Sequence, residues 1–246
     1  MPAVRRTVRT RGDAHLSTAH APATRDTPLK SGLAGLLATH GQLFSEQLGI
    51  DLATRRPGEL FKWFLASMLF GARINESIAV RTYHAFGQHG LLAPRAIAAA
   101  EFSELLLIMA EGGYVRYDGI TSRKVQGAAR KLLEDYRGDL NRLHDAASGS
   151  NDVVGRLMAF SGVGPVTAGI FLRELRGVWP NADPPVGHLA LLAAAHLGIA
   201  DPCKFWKRNP QPGYDSRHFE AALTRLGKDY CRRDRCLAAP IPHSVK

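Results

Sequence analysis

The chain has 246 residues, 45% of them hydrophobic and 22% charged, which excludes disorder throughout and allows one large domain or two small ones. No apolar run reaches the ~20 residues of a membrane span, and the N-terminus lacks an apolar signal stretch, so we expect a cytoplasmic protein without a membrane partner. The net charge of +10 is concentrated in residues 1–30 and 204–236. This favours a surface that meets a polyanion, with chance clustering of solvated charges as the alternative.

Residues 1–28 show no hydrophobic periodicity and are rich in Arg, Thr, Ala and Pro. We interpret them as a disordered basic tail, which either holds phosphates loosely or has no role. An organellar transit peptide is less favoured, because Asp13 and Asp26 interrupt an otherwise acid-poor stretch.

From about residue 30 onward, the apolar residues recur at helical spacing and never alternate as in strands. Helices are predicted at 60–70, with a stripe wide enough for burial, at 76–90, and at 121–136 with Thr121 or Ser122 as N-cap. Further helices are predicted at 152–160, with Asn151 or Asp152 as cap and Met158 in the buried stripe, and at 165–176. The segment 186–199 is apolar nearly all round, which places it at the centre of the molecule. The pattern predicts an all-α protein.

The turn Ser161-Gly162-Val163-Gly164 joins two of these helices. Glycine permits positive φ and close backbone approach, and Pro165 suits the first turn of a helix. Val163 is expected to turn inward and join the two helices. Such a turn leaves backbone N–H groups unpaired at a helix N-terminus, where they bind phosphate, and the Thr167 hydroxyl adds a donor. The alternative is a plain helical corner with a glycine cap.

The residues of this turn resemble a motif of a known protein family. "FSGVGPVTA" is similar to the helix-hairpin-helix motif of DNA glycosylases of the endonuclease III superfamily, and weaker matches on both sides of it, in the family's order, extend the likeness over roughly residues 55–236. The resemblance implies two helical domains with a DNA cleft between them: a helical barrel at 55–180, and a second domain made of 29–54 plus 181–246. It also implies that a damaged or mispaired base of double-stranded DNA is flipped into the cleft.

Three positions depart from the family pattern. Where bifunctional members carry a nucleophilic lysine, this chain has Val166, so no Schiff-base lyase activity is expected. No acid stands at the aspartate position before Gly187-His188. Asp183 is the carboxylate that could reach the same point, and the alternative makes it a turn residue before Pro184. Only Cys231 and Cys236 occupy the region of the family's four-cysteine cluster, so no [4Fe–4S] cluster and no other cofactor is expected.

Other residues are candidates by position. His188, at the head of an apolar helix, is a candidate to hold a water or a phosphate. Cations expected at DNA phosphates are Arg123 and Lys124 at a helix start, and Arg73, Arg232 and Arg233. Leu69 and Phe70 are either a wedge that unstacks bases or core residues, and Tyr114 and Tyr117 either stack on a base or are buried. The cysteine pair could bind zinc together with His243, but the favoured interpretation is that the cysteines are small packed residues.

The sequence therefore predicts a monomeric, monofunctional DNA glycosylase of base excision repair, associated with the nucleoid if the source is bacterial. The alternative is a non-catalytic helix-hairpin-helix protein that recognises damaged or bent duplex.

Overall fold

A computed structural model describes residues 32–72 and 74–233 of the chain. This part is all-helical, with no strand, which confirms the predicted fold class. The helices are α1 (Gly32–His40), α2 (Phe44–Gln47), α3 (Pro57–Phe70), α4 (Glu76–Gln88), α5 (Pro94–Ala99), α6 (Phe102–Glu111), α7 (Asp118–Tyr136), α8 (Leu140–Asp145), α9 (Ser150–Met158), α10 (Pro165–Arg173), α11 (His188–His196), α12 (Pro202–Arg208) and α13 (Ser216–Asp229), followed by a 3₁₀ turn at Cys231–Arg233. None of the helices described is long and apolar enough to cross a membrane. The predicted basic tail at 1–28 lies outside the described residues.

Helix α3 runs through the largest hydrophobic cluster. Its residues are buried on nearly every side, as the wide apolar stripe predicted. The Phe64 ring lies 5.3 Å from that of Phe160 and 5.6 Å from that of Phe171, and the Trp63 indole donates a hydrogen bond to the Phe171 carbonyl at 3.0 Å. Because Phe160 and Phe171 flank the glycine turn in sequence, α3 is the support on which that turn is built. Leu69 is fully buried, so it is a core residue and not a wedge.

A second hydrophobic cluster forms around α13, with contributions from α1, α11 and α12. Segment 43–52 packs in the first cluster through Phe44 and Ile50. The buried Glu174 carboxylate accepts hydrogen bonds from the backbone N–H groups of Phe44 and Ser45, at 2.9 and 2.8 Å, and so caps α2. The division into domains at 55–180 and at 29–54 plus 181–246 stays a prediction.

The apolar composition of α11 predicted that this helix lies at the centre of the molecule. The structure places one side of it at the surface. Ala190, Ala193 and Ala194 are buried against α13, whereas Leu191 is 46% exposed and His188 is exposed. The reason is that the apolar character of α11 comes largely from alanine. The small alanine side chains of one face let α11 pack closely on α13, and the opposite face stays at the surface. A Cβ added at Gly227 of α13 would lie only 2.0 Å from the Leu189 carbonyl oxygen.

Two predicted helix starts are wrong. Helix α7 begins at Asp118, because Tyr117 before it adopts a left-handed conformation with φ 68°, and neither Thr121 nor Ser122 is a cap. Helix α9 begins after Gly149, so neither Asn151 nor Asp152 is its cap.

Two further expectations fail in the hairpin helices. Met158, predicted in the buried stripe, is 42% exposed, because Val153 and Leu157 already fill the buried face of α9. Helix α10 ends at Arg173, three residues before the predicted end.

Asp215 caps α13 and gives the fold a pH dependence. Burial of its carboxyl acts to raise its pKa, but the hydrogen bonds and charges of Arg217 and His218 outweigh this effect and lower the pKa of Asp215 from 3.8 to about 2. Because the pKa is lower in the folded chain than in the unfolded chain, the stabilisation is present above about pH 4 and is lost as the pH falls towards 2.

An Asp215→Asn variant keeps a good N-cap and removes the charge. We expect it to be less stable than the wild type by about 1 kcal/mol near neutral pH, a figure reduced for solvent screening of this partly exposed group. Urea unfolding at pH 6 and pH 3 measures the difference, which should shrink at the lower pH. A difference that does not change with pH would contradict the assignment.

Candidate nucleic-acid interface

The glycine turn between α9 and α10 has the conformation that the sequence predicted. Gly162 has φ 84°, Val163 is 5% exposed and packs inward, and Gly164 is extended with φ −101° and ψ −176°. Pro165 is the first residue of α10. Only glycine adopts the Gly162 conformation without strain, so this residue fixes the reversal of the chain.

Backbone amides at this turn are left without acceptors. Within the part of the chain that the structure describes, no acceptor is found for the N–H groups of Gly162, Gly164, Val166 and Thr167. Val163 donates to the Phe160 carbonyl at 3.1 Å, and Ala168 donates to Gly164 at 2.9 Å. The unpaired amides surround the N-terminus of α10, where the helix dipole adds partial positive charge. The arrangement suits an anion.

Lys124 lies directly over this turn. A Cβ built on Gly162 would lie 2.9 Å from Lys124 Cβ and 3.0 Å from Lys124 Cδ, so the lysine stem packs on the glycine. Lys124 is an exposed residue. Two predicted binding residues that are 38 positions apart in sequence are thus brought into contact through the lysine stem.

The Thr167 hydroxyl, expected as a donor to phosphate, is turned away from the surface. It is only 4% exposed, and its Oγ1 lies 2.2 Å from the point where a Cβ of Gly71 would stand, so the hydroxyl packs against the end of α3. We therefore assign any contribution of Thr167 to its backbone N–H. The neighbouring Val166 is 67% exposed. It presents an apolar side chain, and no amine, at the position that the resemblance compares with a lysine nucleophile.

The other predicted cations are distributed differently. The Arg123 guanidinium is exposed and lies 4.9 Å above the Phe102 ring of α6, so it points along the surface towards that helix. Arg232 is exposed in the C-terminal 3₁₀ turn. Arg73 lies outside the described residues, and for Arg233 only the backbone is described. Nothing in the structure brings Arg232 to the glycine turn.

Asp183, the predicted carboxylate, lies in the loop before α11. Its side chain is 82% exposed, and its Oδ1 accepts a hydrogen bond from Arg176 Nε at 3.1 Å. It lines a shallow cavity with Arg55 and Trp179, and no hairpin residue lines that cavity. His188 is the exposed first residue of α11. Its predicted role and that of Asp183 stay predictions.

Sequence reasoning missed the buried carboxylate behind this loop. Glu220 of α13 is 4% exposed and forms an ion pair with Arg176, and its Oε1 accepts a hydrogen bond from Gly187 N at 3.0 Å. Burial acts to lower the pKa of Arg176, but the Glu220 and Asp183 carboxylates outweigh it and raise that pKa. A signal was available, because Glu220 shares the apolar face of α13 with Leu223 and Gly227, and a carboxylate on a buried face needs a cation.

Cys231 is buried and Cys203 is exposed. Among residues 32–72 and 74–233, no group of three His, Cys, Asp or Glu side chains is arranged to hold a metal ion. Cys236 and His243, on which the cluster and zinc hypotheses depend, lie outside these ranges.

The chain was compared with protein-family models, with curated proteins and with solved structures, and nothing matched. The geometry of the turn is therefore the evidence that bears on function.

Proposed function

We propose that this chain binds double-stranded DNA through the hairpin at residues 158–168, and that it is a monofunctional DNA glycosylase of base excision repair. The observation that carries the proposal is the set of unpaired amides at Gly162, Gly164, Val166 and Thr167 beside the Lys124 side chain. Together these groups can hold one phosphate without reading the base sequence. We further propose that the protein acts as a monomer, without a cofactor, in the compartment that holds the DNA.

A plain helical corner would explain the glycines but not the lysine. A cation packed on an already positive helix end raises the electrostatic energy of the turn unless an anion is bound there. Exposed residue Arg123 extends the positive charge along α7. This concentration of positive charge favours a polyanion over an uncharged ligand.

The proposed reaction is hydrolysis of the N-glycosidic bond. Val166 cannot form a Schiff base, so water is the nucleophile. Its oxygen bonds to the sugar C1′, the C1′–N bond breaks with both electrons going to the nucleobase, and the departing nucleobase takes up the proton that water releases. A carboxylate near C1′ stabilises the positive charge that develops on the sugar. Asp183 is the candidate for that role, in a loop fixed by Arg176.

The second candidate function is binding without catalysis. It is favoured by the position of Asp183, which is paired with Arg176 and directed largely into solvent. A protein with this hairpin and no carboxylate beside the flipped base would recognise damaged or bent duplex and release no base.

A Lys124→Met variant tests the DNA contact. Methionine preserves the apolar stem over Gly162 and removes the charge. We expect affinity for duplex DNA to fall about threefold to tenfold, and the slope of log K against log salt to decrease by about 1. Lys131→Met is the matched control: Lys131 is on the same helix, but its ammonium is already paired with Asp135 at 2.7 Å, so binding should stay within about twofold of wild type. Equal salt slopes for wild type and Lys124→Met would refute the contact.

Base release separates the two functions. Duplexes carrying uracil, alkylated, oxidised or mismatched bases are incubated with protein, and abasic sites are revealed with alkali. The glycosylase hypothesis predicts release from at least one duplex, and loss of release with retained binding in Asp183→Asn. Asp145→Asn is the control, because Asp145 is also an exposed aspartate near an arginine, Arg55. Binding without release from any duplex would support the second function.

A further inference from the structure

The corner between α6 and α7 exposes an unusual run of apolar side chains. Val115 is 72% exposed, Tyr117 50% and Ile120 52%, within six consecutive positions. Tyr114, the other tyrosine of this segment, is 1% exposed, and its hydroxyl forms a hydrogen bond with Thr121 at 3.0 Å. The structure thus separates the two tyrosines considered from the sequence: Tyr114 anchors the corner from inside, and Tyr117 stands at the surface.

Tyr117 is also held in a strained backbone conformation. Its φ of 68° lies in the left-handed region, which costs a bulky residue energy that glycine or asparagine would avoid. Helix α7 begins directly after it, so this conformation sets the direction in which the ring leaves the protein. Strained backbone conformations cluster at ligand-binding sites, and a ring that is half exposed contributes little to core packing.

The charges around this corner are mostly positive. The Arg116 guanidinium lies 5.0 Å from the centre of the Tyr117 ring, and exposed residues Arg123 and Lys124 follow one to two turns along α7. Asp118 is the acid of the segment, and its carboxylate accepts a hydrogen bond from Gly119 N at 2.7 Å. An aromatic ring and a guanidinium bordered by lysine and arginine suit a nucleobase attached to a phosphate backbone.

We propose that Tyr117, with Arg116 and Val115 beside it, stacks on an unpaired base of the DNA strand whose phosphate is held at Gly162. This inference rests on the proposed function and adds to it the kind of DNA that is preferred: duplex with an unpaired or displaced base. The connection between the two contacts is Lys124, which belongs to the helix that begins after Tyr117 and packs on the hairpin glycine. An apolar protein partner would not explain the bordering cations.

The test compares full-length wild type, Tyr117→Ala and Tyr117→Phe on two duplexes of one sequence, one fully paired and one with a single unpaired 2-aminopurine. Phenylalanine keeps the ring and the backbone demand, so it is the matched control. We expect Tyr117→Ala to bind the duplex with the unpaired base about tenfold more weakly, and the paired duplex less than about threefold more weakly. Quenching of 2-aminopurine fluorescence on binding should persist with Tyr117→Phe and be lost with Tyr117→Ala.

The outcomes distinguish this inference from the function on which it rests. If wild type binds DNA and Lys124→Met weakens binding, but Tyr117→Ala binds and quenches like Tyr117→Phe, the stacking role is refuted and the hairpin contact stands. If wild type binds neither duplex, both are refuted.

Discussion

Replacing Arg176 by methionine is expected to lower the free energy of unfolding by about 3–5 kcal/mol. The side chains of Arg176 and Glu220 are 14% and 6% exposed, so removal of the cation leaves a buried carboxylate with Gly187 N as its remaining hydrogen-bond donor. The same change releases Asp183 and the Pro184 carbonyl, both of which accept hydrogen bonds from Arg176. Urea unfolding followed by tryptophan fluorescence measures the loss.

Two further variants make this experiment specific. Arg156→Met removes a more exposed ion pair, in which Arg156 is 33% and Asp152 34% exposed, and should cost at most about 1 kcal/mol. The double variant Arg176→Met, Glu220→Met should recover part of the loss, because no charge then remains buried. A loss in Arg176→Met no larger than that in Arg156→Met would show that the pair does not hold the loop.

Replacing Gly227 by alanine is expected to destabilise the fold by about 3 kcal/mol. The added Cβ would lie 2.0 Å from the Leu189 oxygen and 2.8 Å from the Leu189 carbonyl carbon. Because these are backbone atoms, no rotamer change removes the overlap, and α11 and α13 must separate.

Gly155→Ala is the matched control for this substitution. Gly155 is exposed within α9, and a Cβ there meets nothing within 4 Å, so alanine should stabilise the protein by up to about 1 kcal/mol. Thermal unfolding of the two variants should move the midpoint in opposite directions. A Gly227→Ala variant as stable as wild type would mean that the two helices pack less closely than the structure shows.

Local patterns predicted the parts of the fold that depend on nearby residues. The burial of α3 follows from its apolar periodicity, and the inward turn of Val163 follows from the glycines on either side. The start of α7 was misplaced, because the break is made by the left-handed Tyr117, a residue type that rarely adopts this conformation. The centre of the molecule was misplaced, because hydrophobicity alone does not distinguish an alanine-rich helix that packs on one face from one surrounded by larger side chains.

Local sequence patterns did not predict the contacts between residues that are far apart in the chain. Nothing near Asp183 in sequence shows that Arg176 and Glu220 share its loop, since Glu220 comes from a helix 37 positions later. Nor does the local pattern show that Thr167 packs on Gly71. The packing of Lys124 on Gly162 likewise joins two segments that are far apart in sequence, and it comes from the fold alone. The contact of Lys124 with phosphate stays a prediction.

The packing of Lys124 on Gly162 also fixes the distance along α7 between the hairpin and Tyr117. Tyr117 and Lys124 are seven positions apart on or next to α7, and a helix rises 1.5 Å per residue, so about 10 Å separates them along the helix axis. Bases on one DNA strand follow each other every 3.4 Å, so a strand that lies along α7 would span this distance with about three nucleotides. A base on Tyr117 and a phosphate at the hairpin would then keep a constant separation along the strand, set by a rigid helix rather than by a loop.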